Sequence, residues 1–236
     1  FESFRCIKLA SIINKFFKKM KQTILYTILA VFSVLQPLHS QSIYCNDYVA
    51  SIVADIRSGS SSSSPNDIIS HSNSLYFEAN DGTHGNELWK YDIQLDTAYM
   101  LYDIRPGSSS SSPYGIILHS NCLYFRANDG THGNELWKYD IQLDTAYMAY
   151  DIRTGSNSST PQSIISNGND IYFQANDGIN GGELWKYDTQ IGYAVMVADI
   201  NTSGSSSPVF LTCVGSNIYF RAYNEVNGSE LYKYDT

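Results

Sequence analysis

Hydrophobic and polar residues alternate with a period of two along short segments of the chain, and these segments recur. In one of them Met100, Tyr102 and Ile104 share one face, whereas Tyr99 and Leu101 lie on the other. Such alternation is typical of a half-buried β-strand. Beyond the first forty residues, no segment has the 3.6-residue period of an amphipathic helix. The pattern therefore predicts an all-β protein.

The strands belong to a repeat that occurs four times at steps of about 48 residues. The stretch from Ala79 to Met100 reappears letter for letter from Ala127 to Met148, as expected of a recent duplication. Self-similarity at this period is typical of solenoids, propellers and arrays. The repeated Asp-Ile pairs are Asp55-Ile56, Asp103-Ile104, Asp151-Ile152 and Asp199-Ile200.

Each copy predicts four short strands. After the Asp-Ile strand come a short apolar strand, a Leu-Tyr-Phe strand and a Glu-Leu-Trp strand. Four strands per copy are typical of one blade of a β-propeller. The sequence therefore predicts an all-β propeller or propeller-like array of four four-stranded blades, with a β-solenoid as the alternative. Blades that start at the Asp-Ile strand span residues 47–94, 95–142, 143–190 and 191–236.

Four blades either close as a small ring or form an arc of a larger one. An arc leaves two bare sheet flanks, which are costly in solution. Because the chain starts at Phe1 rather than Met and stops at Thr236 directly after a repeat, we expect a fragment of a longer protein.

The repeated motifs resemble a known family of exported bacterial proteins. A Gly-x-Glu-Leu-Trp-x-x-Asp core follows Leu-Tyr-Phe-x-Ala-Asn-Asp-Gly, and Asp-Ile-x-x-Gly-Ser-Ser-x-Ser-x-Pro precedes both. This combination is similar to the ELWxxDGT repeat family over residues 47–236. The Asp-Gly-Thr of that family is replaced here, for example by Asp92-Ile93, so we expect a different turn. The resemblance implies a secreted or surface repeat protein with no established chemistry.

Each copy also resembles the tryptophan-docking motif of quinoprotein propellers, with Ala79, Asp81, Gly85, Glu87 and Trp89 at the matching spacing. The resemblance implies that the tryptophan packs between adjacent blades while the aspartate caps the turn. The indole N–H then needs a fixed hydrogen-bond partner. We expect packing rather than a sugar-stacking platform. The docking residues are Trp89, Trp137, Trp185 and, in the degraded fourth copy, Tyr232.

The first forty residues have the pattern of an export signal. Met20 opens a basic start, an apolar run covers residues 23–35, and the small residue Ser40 follows. This is typical of a secretory signal peptide, and the run is shorter than the roughly 20 residues of a membrane span. An uncleaved anchor is the alternative. The predicted divisions are an upstream extension (1–19), a signal peptide (20–40) and the repeat domain (41–236).

Composition and charge limit the partners. The 236-residue chain is 43% hydrophobic and 14% aromatic, which suits a buried core and not a disordered chain. Beyond residue 21 it has nine basic residues against 22 acidic ones. An acidic body repels a phosphate backbone, so nucleic acid is excluded as a partner. We expect a secreted or cell-surface protein without a stable membrane span once the signal is cleaved.

Three cysteines remain after the predicted signal, namely Cys45, Cys122 and Cys213, and none recurs at the same place in successive copies. A disulfide framework uses paired, recurrent cysteines. We therefore expect three small apolar residues, with a single bridge as the alternative. No Cys/His cluster indicates zinc.

One rim of the blades carries the loops that suit ligand binding. Antiparallel connectivity puts the serine-rich loops and the Asn-Asp-Gly loops at the same sheet edge, and binding residues concentrate in such loops. The rim candidates are Arg57, Arg105 and Arg153 beside Asp81, Asp129 and Asp177.

A calcium site at Asn80, Asp81 and Glu87 is an alternative use of the same loop, because hard cations prefer clustered oxygens. The spacing is not that of an EF-hand, however, and Asp-Gly is a common turn pair. Turn capping is the favoured interpretation, and no metal or cofactor is expected.

The sequence contains no catalytic motif such as Gly-x-Ser-x-Gly, His-Glu-x-x-His or a phosphate-binding loop. Catalysis usually needs a non-repeated set of residues, whereas every prominent acidic position here is repeated. We expect a non-catalytic binding or adhesion module for glycan, matrix or protein. The alternatives are a spacer that displays another domain and, less favoured, a carbohydrate-active enzyme on a propeller scaffold.

Overall fold

The computed structural model describes residues 50–236, of which residues 51–236 form one structural unit. The predicted upstream extension, the signal peptide and Cys45 lie outside the described residues. The described part contains 15 β-strands and no helix. It therefore holds no helix long and apolar enough to cross a membrane.

The strands form four antiparallel sheets in which chain neighbours are also sheet neighbours, so the predicted all-β, propeller-like array is confirmed. The first two sheets contain four strands each. They are β1 (Asn66–His71), β2 (Ser74–Asn80), β3 (Asn86–Asp92) and β4 (Thr97–Tyr102), then β5 (Tyr114–His119), β6 (Cys122–Asn128), β7 (Asn134–Asp140) and β8 (Thr145–Tyr150).

The third sheet has four strands and the fourth has three. They are β9 (Gln162–Asn167), β10 (Asp170–Asn176), β11 (Gly182–Asp188) and β12 (Tyr193–Ala198), then β13 (Val209–Val214), β14 (Asn217–Asn224) and β15 (Gly228–Asp235). The first strands of successive sheets, β1, β5, β9 and β13, lie side by side, as the inner strands of propeller blades do. The four sheets of residues 66–235 do not close into a ring.

Each blade starts one strand later than the sequence predicts. The segment before each Asp-Ile pair is the last strand of the preceding sheet: Trp89 of β3 pairs with Met100 of β4. The blades therefore span residues 66–102, 114–150, 162–198 and 209–235 instead of the predicted ranges. The first Asp-Ile segment, with which the first predicted blade starts, is not a strand from Ala50 onward. Period and strand content are unaffected by this shift, which is why the sequence pattern alone does not reveal it.

The turn that replaces Asp-Gly-Thr is built by side chains. Asp92 accepts hydrogen bonds from the backbone N–H groups of Gln94 and Leu95 through Oδ1, at 3.0 and 3.1 Å. Asp96 takes the left-handed conformation and accepts a hydrogen bond from the Tyr91 hydroxyl. Aspartate side chains thus supply the reversal without glycine.

The cores lie between adjacent sheets. Trp137 belongs to one buried cluster with Leu88 and Ile104 of the first sheet and its connection, and with Phe125 of its own sheet. Trp185 occupies the same place between the second and third sheets, and Trp89 packs in a cluster joined by Ile56. Large flat rings thus fill the inter-blade space, where they bury much apolar area per residue.

The expectation that each indole N–H finds a partner is wrong. The Nε1 atoms of Trp89, Trp137 and Trp185 are buried and have no hydrogen-bond acceptor among the described residues. Tyr232 differs from the tryptophans in that it is only half-buried; it stacks on Phe220 and bonds through its hydroxyl to Asn224 Nδ2, at 2.6 Å.

Replacing Trp137 should test this packing. We expect Trp137→Ala to lower the free energy of unfolding by about 3–5 kcal/mol, because it empties an inter-blade core. Trp137→Phe should cost clearly less, since the indole N–H makes no hydrogen bond to lose. Urea unfolding of both variants measures this; equal losses would contradict it.

Candidate functional site: the inter-blade seam and its rim

A buried glutamate fastens each crossing between blades. Glu135 is fully buried on β7, and its Oε2 accepts a hydrogen bond from the backbone N–H of Ile152 at 3.0 Å. Ser159 donates its backbone N–H to Oε1 at 2.7 Å and its hydroxyl to Oε2 at 2.5 Å. The connection that leaves the second blade is therefore tied to that blade by three hydrogen bonds to one carboxyl group.

The same connection is tied to the next blade. The carbonyl oxygen of Ser159 accepts a hydrogen bond from the backbone N–H of Asn176 at 2.9 Å, and Ile152 belongs to the buried cluster around Trp185. This arrangement, which we call the glutamate seam, recurs at each described crossing. Its members are Glu87 with Ile104 and Ser111, Glu135 with Ile152 and Ser159, and Glu183 with Ile200 and Ser206.

Burial raises the pKa of the seam carboxyls. Loss of solvation raises the pKa of Glu87 and of Glu135 to about 7, although the hydrogen bonds that these carboxyls accept lower it. Loss of solvation also raises the pKa of Glu183. In the fourth copy, Glu230 is exposed, and no serine loop among the described residues packs on it. The glutamate is therefore buried and hydrogen-bonded only where a crossing segment packs on it.

Two kinds of loop meet at the rim, as predicted. We call residues 58–65, 106–113, 154–161 and 201–208 the serine loops, and residues 80–85, 128–133 and 176–181 the Asn-Asp-Gly loops. Asn134 donates its backbone N–H to the hydroxyl of Ser158 at 2.9 Å. A Cβ on Gly133 would lie 2.5 Å from the carbonyl oxygen of Asn157, and φ at Gly133 is +72°. Glycine is required here by both conformation and close approach.

Asp81 caps its own loop. Its Oδ1 accepts hydrogen bonds from the backbone N–H groups of Thr83 and His84 at 2.7 and 2.9 Å, and its Oδ2 contacts His84 Nδ1 at 2.7 Å. Burial raises the pKa of Asp81, but these hydrogen bonds outweigh it and lower the pKa to about 2. The hydrogen bond to Asp81 in turn raises the pKa of His84. Asp129 makes the same contacts with its loop.

The third copy shows what the histidine does. Asn180 stands at the corresponding position and donates its Nδ2 to Oδ2 of Asp177 at 2.7 Å. An amide thus replaces the ring without changing the bond. The position needs a hydrogen-bond donor to the aspartate, and nothing about it requires an imidazole.

The predicted rim arginines precede the serine loops, and their side chains pack against the Asn-Asp-Gly loops. A Cβ on Gly82 would lie 2.9 Å from Nε of Arg57, and one on Gly130 would lie 3.1 Å from Nε of Arg105. The third copy repeats the contact between Gly178 and Arg153. The structure thus brings each arginine to the loop of its predicted aspartate. Within residues 50–236, none of the three arginines forms an ion pair with a carboxylate.

Each of the three residues of the calcium hypothesis is hydrogen-bonded within the protein. Glu87 is bound by the seam, Asp81 by its turn, and Asn80 accepts from the backbone N–H of Gly82 while donating to Asn86. Within the described chain, no group of three or more His, Cys, Asp or Glu side chains is arranged to hold a metal ion. The oxygens of Asn80 and Asp81 thus hold their own loop, whereas those of Glu87 hold the crossing.

Two of the three cysteines can be placed. Cys122 is buried and Cys213 is exposed, and both are free thiols in the described part of the chain. Cys122 belongs to the core cluster between the second and third sheets, as a small apolar residue would, whereas Cys213 is not buried. Burial raises the pKa of the Cys122 thiol.

The seam serines were not recognised from the sequence. Ser111, Ser159 and Ser206 are fully buried in loops whose other serines are mostly exposed. The usable signal was spacing: a serine follows the motif glutamate by 23 or 24 residues at each of these crossings. In a run of identical letters, no single serine stands out.

Comparison with known proteins supports the fold alone. No protein-family model and no curated protein matches the chain. Among solved structures it is similar to a puromycin-hydrolyzing peptidase of Mycobacterium tuberculosis, with a TM-score of 0.55 and 10% identity over 73% of this chain and 27% of that one. A puromycin hydrolase gives a TM-score of 0.51 and 14% identity over 69% of this chain and 25% of that one.

A further similar structure is the extracellular domain of a protein described as a hybrid two-component system from B. thetaiotaomicron. Its TM-score is 0.50, with 13% identity over 72% of this chain and 20% of that one. The chain thus spans about a quarter of the length of these proteins. At such identities the likeness concerns architecture and does not carry over an activity.

The seam predicts a pH dependence of stability. A carboxyl whose pKa rises from 4.5 in the unfolded chain to about 7 on folding stabilises the fold fully below pH 4.5, and this contribution is lost as the pH rises to 7. Glu135→Gln should therefore lose less stability than the wild type between pH 5 and pH 7.5, by roughly 2–3 kcal/mol. Chemical denaturation across this range measures the difference. Parallel pH profiles of stability for the wild type and the variant would contradict the raised pKa of Glu135.

The close approach at Gly133 gives a second prediction. Gly133→Ala should lower the free energy of unfolding by roughly 3 kcal/mol, since the new methyl group meets the Asn157 carbonyl. The matched control is Gly107→Ala, which has φ of +100° but nothing within 4 Å of its Cβ. It should cost only the backbone strain, about 1 kcal/mol. Thermal unfolding compares the two, and equal costs would refute the contact.

Proposed function

We propose that the chain is a non-catalytic, exported binding module that holds neutral glycans along its rim. The single observation that carries this proposal is the repeated placement of Arg57, Arg105 and Arg153 on the rim loops without a carboxylate partner in the described chain. The three side chains are half-buried, and among the described residues their hydrogen bonding is confined to Nη1 of Arg105, which donates to the carbonyl oxygen of Ser110 at 3.5 Å. Most of their N–H donors therefore remain for a ligand.

The rim chemistry suits hydroxyl groups better than anions. A guanidinium offers up to five N–H donors, and the aspartate carboxylate on the adjacent loop has about four lone-pair sites, of which Asp81 uses three within its own loop. A sugar hydroxyl both donates and accepts, so it is matched by a donor beside an acceptor. The net charge of −8 would oppose an acidic polymer as it opposes nucleic acid.

Repetition favours a polymer as the ligand. Three blades present the same loop pair at the same edge, so successive units of one glycan meet equivalent contacts. Linked weak contacts combine into a much higher overall affinity without any new contact. The predicted signal peptide supports a location where extracellular glycans are present.

The same repetition argues against catalysis. Each rim aspartate is engaged by its own loop, and each seam glutamate is enclosed by the crossing that covers it. Neither set offers one singular acid and base. We therefore propose a binding role and no turnover.

Removing the three guanidinium groups tests the proposal. The variant Arg57→Gln, Arg105→Gln, Arg153→Gln should bind a neutral polysaccharide such as soluble starch, xylan or laminarin at least 100-fold more weakly, whereas each single change should cost only several-fold. Affinity electrophoresis of the full chain against each polysaccharide gives the measurement.

The matched control removes three charges elsewhere. Lys90, Lys138 and Lys186 recur on β3, β7 and β11 and pair with Asp92, Asp140 and Asp170. Their triple change to Gln should leave polysaccharide binding intact. Equal losses in both triple variants, or no binding by the wild type to any of the three polymers, would refute the proposal.

A further inference from the structure

Three of the few differences between the first two copies are clustered at the rim end of the blade. Residues 55–102 and 103–150 differ at only seven of 48 positions. One difference, Ser58 against Pro106, lies in the serine loops. Three lie in or beside the inter-blade cores, namely Ser70 against Leu118, Ser74 against Cys122 and Leu101 against Ala149. The remaining three are Asn66 against Tyr114, Asp67 against Gly115 and Glu78 against Arg126.

These three positions are neighbours in space. Asn66 pairs with Glu78 across β1 and β2, and Tyr114 pairs with Arg126 across β5 and β6. The other copies diverge at the same positions, where the pairs are Gln162 with Gln174 and Val209 with Arg221. The rim end of the inner strands is thus different in every blade, and between the first two copies, which are otherwise nearly identical, it holds three of the seven differences.

A backbone irregularity shapes this place in each blade. The strand register shifts directly after the paired residue, and the following residue takes a positive φ, between 51° and 67°. Such a bulge redirects side chains. The residues with positive φ are Asp67, Gly115, Ser163 and Phe210.

A cavity opens where three of these bulges meet. Its volume is about 390 Å³, within the range of small-ligand sites of about 300–1,000 Å³. Isoleucines of β1, β5 and β9 line its wall, while Asp67, Tyr114 and Ser163 supply its polar groups. We call this cavity, with the paired residues at its rim end, the inner mouth.

The inner mouth combines an aromatic face with hydrogen-bonding groups. Tyr114 is 44% exposed, and the guanidinium of Arg126 lies 4.6 Å from its ring centroid. Nε of Arg126 is buried and has no partner among the described residues. Asp67 accepts from the backbone N–H of Gly115 with one oxygen. Its second oxygen remains for a ligand.

We propose that the inner mouth binds one sugar ring, with Tyr114 stacking on the apolar face of the ring and Asp67 accepting from its hydroxyls. The exposed ring of Tyr114 suits the C–H face of a pyranose, and amide and carboxylate groups suit its hydroxyls. This inference rests on the proposed function, because it assigns to the glycan a second and singular contact beside the repeated rim. Divergence between blades is what a site for one asymmetric ligand requires.

Monosaccharides test the inner mouth separately from the rim, because a single sugar ring cannot contact the rim loops of several blades at once. Saturation-transfer NMR on the full chain with glucose, galactose, mannose and N-acetylglucosamine should show binding of at least one of them. Tyr114→Ala and Asp67→Asn should each weaken that binding at least tenfold, while Tyr114→Phe retains it. The control Tyr147→Ala removes an exposed tyrosine from β8 and should have no effect.

The outcomes separate the two proposals. A rim triple variant that loses polysaccharide but still binds the monosaccharide supports a distinct inner mouth. Polysaccharide binding without any monosaccharide binding would overturn the inner mouth and leave the rim in place. Monosaccharide binding that survives both Tyr114→Ala and Asp67→Asn, in variants with wild-type circular dichroism, would equally overturn it.

Discussion

The fold depends on one interaction, a buried glutamate that accepts three hydrogen bonds from the chain segment crossing to the next blade. A crossing segment carries backbone N–H groups that would be costly to bury without acceptors. The glutamate satisfies two of them and a serine hydroxyl at once, as in the bonds of Glu135 to Ile152 and Ser159. With the crossing held in place, isoleucine and tryptophan can fill the space between the sheets.

The seam also places the rim. Because each serine loop is fixed to one blade by the glutamate and to the next by a backbone hydrogen bond, the Asn-Asp-Gly loops are held in a constant relation to it. The arginine at the start of the crossing then falls on the neighbouring loop each time. A repeated rim is therefore a direct consequence of a repeated seam. The seam does not determine the residues of the inner mouth, and these differ from one copy to the next.

Much of this was predictable from the sequence, because period-two alternation and a 48-residue repeat directly reflect strands and blades. The rim was predictable too, since loop parity does not depend on where a blade is said to begin. The blade boundaries were not predictable, because a repeat can be cut at any strand. Strand pairings such as that of Trp89 with Met100 show that the strand before each Asp-Ile pair closes the preceding sheet. The missing partners of the indole N–H groups and the burial of the seam serines depend on tertiary contacts, which local sequence patterns do not reveal.

Amide hydrogen exchange tests the central claim most directly. If the seam holds the blades, the backbone N–H groups of Ile104, Ile152, Ser111 and Ser159 should exchange as slowly as those of the central strands β2 and β6, although they lie in connections. Such protection means that they open only when the domain unfolds. Exchange of these four N–H groups as fast as that of the loop glycine Gly107 would contradict the account.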